Sequence, residues 1–449
     1  MPPARDALGA LVALALFAVS VGGCGPAPET ARARHVLLIT VDTWRGDHLS
    51  QARAGTELTP RLDAWLDRAH VFTQAYSVGA ETSPGVAGIL TGLLPHRSGV
   101  LRNSHVLPEG VPTTASLLRD AGFATAGWVA NPVLREGVGF DSGFDSYELT
   151  RRESEGRADR LLARVATWLD ERPAGERTFA WAHLMEPHGP YWAPEEDRRL
   201  FPVASQGERR DLPQLPEGDN TGAGGLPYYQ WSQTEGSPTD AREYLALYAA
   251  GVHWLDRALG DFLEELDRAG AFEDTVVVLT SDHGEALAGD NGYFFSHSND
   301  LTPDQLHVPL AVWMPGSPGA RPTDRPASTL DVLPTICGAL GLPVPAHADG
   351  VDLFGDAASL VMCASQRELA LREGAWMLRT SRTGEPVELT ERTAAGSWEV
   401  RDVAGQTERT KSFRQRLADR LAAPALARPS DRTSTKTDVE DLHALGYTE

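Results

Sequence analysis

A chain of 449 residues with 41% hydrophobic and 23% charged residues can bury a large core, as one big α/β domain with appendages or as two domains. That composition excludes fibrous, collagenous and wholly disordered chains. The 62 acidic residues against 41 basic leave a formal charge of -21, which repels nucleic-acid phosphates and excludes nucleic acid as an expected partner. Lysine is confined to Lys411 and Lys436, so contacts to an anionic ligand must come from arginine, histidine, backbone amides or a metal. The three cysteines, Cys24, Cys337 and Cys363, form no CxxC pair, which argues against a cysteine-based zinc site. Cys337 lies in an apolar helical stretch, where a small buried side chain is its expected role.

The first residues read as an address. Arg5 supplies a positive start, and the apolar run 8–20 is too short to span a bilayer. Val21-Gly22-Gly23-Cys24 resembles the lipobox of bacterial lipoproteins, which implies a signal peptide over 1–23 and lipidation of Cys24. Several acyl chains on one cysteine give stable anchoring where one does not. The alternative is an ordinary signal peptide with an incidental cysteine. Residues 24–34 then form a tether without Asp at its second position, and by resemblance the mature protein sits in the cell envelope, anchored in the outer membrane.

The run HVLLITV at 35–41 predicts a central strand covered on both faces. Residues 59–70 predict a helix with Thr59 as N-cap and Pro60 at its first position. Strands are expected over 123–129, 178–184, 275–279 and 310–314, and a long amphipathic helix over 244–269. This alternation argues for a largely parallel sheet with helices on both faces. The segment 194–240 is irregular and rich in Gly, Pro, Gln, Asp and Glu. A loop that long is disordered or functional, often a cover over a site. Beyond 357, stretches such as 368–380 suggest a small antiparallel subdomain, followed by a closing helix over 412–422 with Ser412 as N-cap.

In open α/β sheets the reacting groups sit at the carboxyl ends of strands. Two predicted strands end in acidic residues, Val41-Asp42 and Ser281-Asp282-His283-Gly284-Glu285. Unpaired buried carboxylates are costly, so a metal between these ends is the simplest account, although Asp-His-Gly by itself could be a loop turn.

Asp42-Thr43-Trp44-Arg45-Gly46-Asp47 and Ser281-Asp282-His283-Gly284-Glu285 are joined in order by further motifs. These are Leu90-Thr91-Gly92, His96-Arg97, Gly99-Val100, Glu186-Pro187-His188-Gly189-Pro190-Tyr191, His297-Ser298, His307-Val308-Pro309-Leu310, Asp331-Val332-Leu333-Pro334-Thr335 and Asp349-Gly350. Together they resemble the sulfatase family of the alkaline phosphatase superfamily over 35–356, and Leu445-Gly446-Tyr447 resembles the tail of many bacterial members. The resemblance implies an alkaline phosphatase-like three-layer α/β/α sandwich with a small C-terminal antiparallel subdomain over 357–449. It also implies one divalent metal ion on Asp42, Asp282 and His283, and a nucleophile at Thr82. His188 and His297 resemble positions that contact the ester or protonate its leaving group, against the plainer reading of hydrogen-bonded structural histidines. His183, Asn103 and Arg45 are candidate substrate contacts, with Arg45–Asp47 pairing as the alternative for Arg45. Glu285 is expected to orient His283 or to act as a helix N-terminal charge, and Tyr228, Tyr229 and Trp231 to stack on substrate or pack locally.

The sequence departs from that family at the nucleophile. Thr82-Ser83-Pro84-Gly85-Val86 lacks both the residue that is oxidised to formylglycine and the motif's arginine, so no formylglycine is expected. Thr43 stands where calcium-binding members carry a second Asp, and an imidazole ligand favours zinc or manganese, with calcium still possible. Three functions follow. The first is an extracytoplasmic hydrolase of sulfate or phosphate esters, its substrate a sulfated or phosphorylated glycan, lipid or small molecule. The second is a phosphodiesterase or phosphoethanolamine/glycerolphosphate-type transferase on envelope lipids or glycans. The third is a non-catalytic glycan- or lipid-binding relative.

Overall fold

The unbroken apolar run His35–Val41 forms strand β1, buried along nearly its whole length at the centre of the main sheet. The computed structural model describes residues 33–49, 52–53, 56–150, 157–287, 292–298, 300–317, 322–394, 396–433, 436–445 and 447; the expected signal peptide, most of the tether with Cys24, and Gly446 of the tail motif lie outside the described residues. β1 is followed by β2 (His70–Tyr76), β3 (Ala124–Val129), β4 (Ser146–Leu149), β5 (Thr178–Leu184), β6 (Thr275–Ser281), β7 (His307–Val308), β8 (Leu310–Trp313) and β9 (Thr323–Ser328). Among the described residues these make one sheet in the order β9-β2-β8-β6-β1-β5-β3-β4, with β7 paired to β2.

β6, β1, β5, β3 and β4 run parallel, as the alternation of strand and helix predicts. β8 runs antiparallel to both β6 and β2, so the sheet is mixed. The cause is the route of the chain: parallel pairing needs a crossover back to the strand's starting end, whereas Gly284 N donates to Gln305 O at 2.7 Å, so the chain is back at the carboxyl ends just before β8 and β8 starts from there.

Alternate residues of each strand divide between two cores. Leu37, Ile39 and Val41 face α1 (Pro60–Leu66), α4 (Ala158–Asp170) and α5 (Ala241–Arg268). Val36 and Leu38 face α2 (Thr82–Thr91), α3 (Thr114–Asp120) and α6 (Val332–Leu340). The result is a three-layer α/β/α sandwich. A second sheet, β10 (Val361–Ala364), β11 (Glu368–Glu373), β12 (Trp376–Ser381), β13 (Pro386–Arg392) and β14 (Trp398–Arg401), is antiparallel throughout. It packs through Met362, Leu369 and Leu378 on Val78, Leu94 and Leu330 of the sandwich and on Phe413 and Leu417 of α7 (Thr407–Leu421). A last helix, α8, spans Lys436–Ala444.

Several boundaries and one cap differ from expectation; the long helix, for one, starts at Ala241 rather than 244. α1 stops at Leu66, because His70 opens a strand whose β-branched and aromatic residues pack at the sheet. α7 begins at Thr407, so Ser412 is an interior residue rather than the cap; the strong helix formers Glu408, Arg409 and Lys411 extend the helix upstream. Thr59 does precede α1, but its hydroxyl donates to Asp63 at 3.2 Å instead of capping an amide. The opening amides of α1 are held by Asp256 of α5, which accepts from Leu62 N at 2.7 Å and Arg61 N at 3.1 Å. Cys337 and Cys363 are both buried free thiols.

Burial pushes the Asp256 carboxyl up to about 6, the two amides holding it below where burial alone would carry it. A carboxyl raised on folding stabilises most below its unfolded value and loses that contribution as pH rises through the folded one. Asp256→Asn keeps an acceptor and removes the charge. Urea unfolding should therefore show the variant gaining on the wild type by roughly 1–2 kcal/mol between pH 4 and pH 7; a pH-independent difference would refute this account of Asp256.

Candidate functional site

Residues partnered across β1 and β6 include Val41 and Ser281, so the next residues, Asp42 and Asp282, emerge side by side. Ser281 Oγ lies 2.6 Å from Val41 O and 2.7 Å from His283 O and accepts from Trp44 N at 3.0 Å, tying the two strand ends together. Asp282 Oδ1 accepts from its neighbour His283 N at 2.8 Å and from Thr43 N at 3.3 Å. Thr43 reaches that position with φ 56°, in the left-handed region a β-branched residue rarely adopts, and Tyr248 OH holds its carbonyl at 2.7 Å. His283 Nε2 lies 3.7 Å from both Asp42 Oδ1 and Asp282 Oδ2, and its Nδ1 is 2.9 Å from Gly284 O.

All three side chains are fully buried. Asp42 Oδ1, Asp282 Oδ2 and His283 Nε2 converge without a hydrogen-bond partner among the described residues. Burial pushes Asp42 up, but the pull of His188, His183 and His283 outweighs it and holds the carboxyl below the usual range. Burial and the neighbouring Asp42 charge push Asp282 well up, and burial lowers His283 to about 3. Two carboxylates this close cannot both ionise without a cation, and a neutral imidazole is a ready ligand. The donor set fits a divalent metal.

The neighbouring strand ends complete the floor. His183, at the end of β5, shares a 2.8 Å hydrogen bond between Nδ1 and Thr40 Oγ1, which sets Nε2 3.4 Å from Asp42 Oδ2. Asn131, just past β3, donates to Asp42 Oδ2 at 2.6 Å and approaches Thr82 Oγ1 at 3.5 Å. Thr82 is the first residue of α2, at a helix N-terminus where amides and dipole favour negative charge. α2 reaches the strand ends because Gly85 has no side chain: a Cβ there would lie 2.3 Å from Asp282 O. The Ser77 hydroxyl donates to that same carbonyl. Val86, where the family motif has arginine, is wholly buried in the core beneath the sheet.

Around this floor the sequence candidates divide. His188 and His297 both come to the site, their ring centroids 5.1 Å apart, with His297 4.6 Å from His283. Burial lowers His297, but Glu285, 3.3 Å away, more than compensates and raises it. Glu285 therefore serves His297, not His283 as expected, since the Gly284 carbonyl already holds the His283 ring. Asn103 Oδ1 accepts from Ser83 N at 2.8 Å and fixes the start of α2, and the Asn103 backbone N–H donates to Glu81 Oε2 at 2.7 Å. Arg45 does not face Thr82: its guanidinium is spent on Asp47 at 2.6 Å and Glu285 O at 2.9 Å.

A cavity of about 730 Å³ lies beside this floor, lined by Arg102, Asn103, Tyr229, His297, Arg367 and Tyr447 among others, and by residues 217–221 of the irregular segment. Tyr229 thus lines the cavity, whereas Tyr228 and Trp231 pack on each other with centroids 6.2 Å apart. Asn131 and Tyr447 were not singled out as site residues by the sequence. A polar residue following the apolar strand 124–129 was the available signal for Asn131; Tyr447 was marked only as part of the Leu445-Gly446-Tyr447 tail motif, with nothing to place it at a site, and it reaches the site from a distant segment.

The family model Sulfatase matches residues 34–342. The chain is 25% identical over 357 residues to the ulvan-active sulfatase of Formosa agariphila, covering 71% of this chain and 64% of that protein. It is 25% identical over 366 residues to the choline-sulfatase of Rhizobium meliloti, covering 71% and 70%. In structure it is similar to the phosphonate monoester hydrolase of Silicibacter pomeroyi, with TM-score 0.69 and 21% identity over 89% of this chain and 100% of that one. The strand-end acidic residues, the order of the motifs and the matched region together place the chain in one family: it belongs to the sulfatases.

Proposed function

We propose that the protein is a metal-dependent hydrolase of sulfate or phosphate esters that works outside the cytoplasm, with Thr82 as its nucleophile. The observation that carries this reading is the position of Thr82 at the mouth of a buried ten-residue helix, joined through Asn131 to Asp42, whose Oδ1 converges with Asp282 Oδ2 and His283 Nε2, all three atoms without a hydrogen-bond partner among the described residues. A divalent ion on Asp42, Asp282 and His283 would supply positive charge to the hydroxyl and to the anionic ester group. Zinc or manganese suits a set containing imidazole, with calcium the alternative.

The chain's own residues supply the rest. Asn131 orients Asp42 and Thr82, and the α2 N-terminus favours the charge that develops on the hydroxyl and the bound ester. Attack by Thr82 Oγ, its proton lost to water, forms a bond to sulfur or phosphorus as the bond to the leaving oxygen breaks, and that oxygen takes up a proton to depart as an alcohol. His297, whose pKa Glu285 raises, and His188 are the imidazoles in position to deliver it. Water then cleaves the threonine ester. The sugar and choline esters named for the relatives make a sulfated glycan or small sulfate ester the first substrates to test. A second reading, phosphodiester hydrolysis or transfer, is favoured by the threonine itself, since a hydroxyl nucleophile releases its covalent intermediate only through attack by water or another acceptor. The apolar run 8–20 ending at Cys24 supports a lipid-anchored location in the cell envelope.

Assays of purified protein with aryl sulfates, phosphate monoesters and phosphodiesters, each with zinc, manganese or calcium, should identify one preferred class. Thr82→Ala should lower kcat roughly a thousandfold or more, and full activity in that variant would remove Thr82 from the nucleophile's role. Metal analysis should find about one divalent ion per chain, lost together with activity in Asp282→Asn. Cys24→Ser should move the protein from the membrane to the soluble fraction; unchanged partitioning counts against the anchor.

A further inference from the structure

The Tyr447 hydroxyl sits where the reaction needs space. It lies 2.8 Å from Asn131 Nδ2, 2.9 Å from His188 Nε2 and 3.3 Å from Thr82 Oγ1. Its ring is 5.5 Å from His188 and 6.2 Å from His297, and Tyr447 is buried. Two oxygens at hydrogen-bonding distance leave no room between them for a sulfur or phosphorus centre with its own oxygens. The phenol and an ester poised for attack by Thr82 therefore exclude each other. The cavity carries the same message: Tyr447 and Leu445 form part of its wall, while Thr82, Asp42, Asp282 and His283 do not.

The segment bearing this side chain is lightly attached. Leu442 of α8 packs on Val133, Asp438 pairs with Arg135 at 3.2 Å, and Gln233 donates to Ala444 O at 2.7 Å. Among the described residues, and apart from the phenol itself, the segment is held by Leu442 and Leu445 packed with Val133, one partly exposed ion pair and one amide bond, each a modest restraint. A short segment held this way can open without disturbing the sandwich.

We propose that α8 with Tyr447 is an intramolecular plug: its phenol occupies the place of the ester's transferred group, and the segment withdraws to connect the cavity with Thr82. This rests on the reading of Thr82 as nucleophile. It makes turnover depend on an opening step, and it makes anionic ligands of the site competitors of the chain's own tyrosine. The Gln233 contact links the plug to the irregular segment 194–240, so ligand contacts at the cavity rim have a direct route to the plug's hold.

Two variants loosen the plug in different ways. Tyr447→Ala removes the phenol, and Leu442→Asp places a charge against Val133, well away from Thr82, while keeping the phenol. With 4-nitrophenyl sulfate or bis(4-nitrophenyl) phosphate, both should raise kcat/KM about tenfold. A fall in both variants would instead make Tyr447 part of the catalytic machinery, and no change would show that the segment opens freely; either result overturns the proposal. Amide hydrogen exchange over residues 436–445 of the Thr82→Ala protein supplies a readout without turnover. Adding phenyl phosphate with manganese should raise exchange there severalfold, and unchanged exchange would overturn the plug. If no variant hydrolyses any ester yet exchange rises, the hydrolase reading fails and the plug stands as the gate of a binding site.

Discussion

Asp42 and Asp282 stand next to each other because their strands pair in register, and among the described residues Asp42 Oδ1 and Asp282 Oδ2 have no hydrogen-bond partner. Two adjacent carboxylates buried with an unprotonated imidazole are a standing electrostatic problem that a divalent cation resolves. Other features of the region serve to hold that arrangement. Ser281 pins the two strand ends together, Tyr248 holds Thr43 in its strained conformation, and Thr40 aims His183 at Asp42. These fixed groups keep the ligand atoms aimed inward, which a set of flexible carboxylates would not do alone.

The second constraint is a close approach. α2 must bring its N-terminus to the carboxyl end of β6, and only a glycine at position 85 permits contact with the Asp282 carbonyl. Once α2 is seated, Ser83 is tied by Asn103 and Thr82 is delivered beside Asn131. The nucleophile candidate and the metal candidates thus belong to a single packing solution. The burial of Val86 follows from the same seating: the side chain after Gly85 turns into the core, so an arginine there would have to leave it.

The chain's net charge of -21 opposes any anionic ester at long range, so the local field must reverse it. His297, raised by Glu285, does so near the floor, while at the cavity wall Arg102 and Arg367 stand among Glu81, Glu217 and Asp219. Arg102 is partly offset by its ion pair with Asp431 at 2.7 Å. The Tyr447 phenol fits among the same imidazoles because it is neutral and offers a single oxygen to Asn131, His188 and Thr82.

The sandwich and the metal candidates were legible in the sequence because both depend on local patterns. Apolar runs at 35–41, 178–184 and 275–279 announce buried strands, and acidic residues directly after two of them announce a site. Pairing register, helix seating and long-range return of the chain are not local. The antiparallel course of β8 was decided by the meeting of Gln305 with Gly284 at the carboxyl ends, and the cap of α1 by Asp256, about two hundred residues away in sequence. Glu285 was assigned to the wrong imidazole because adjacency in sequence suggested His283, whereas the carbonyl of Gly284 had already satisfied that ring. Asn131 and Tyr447 became site residues only through folding, one by the neighbouring place of β3 in the sheet and the other by the docking of Leu442 on Val133. Residue type and spacing determined which groups could do chemistry; the tertiary structure alone decided which of them meet, because contact between distant segments is set by packing and register rather than by the residues on either side.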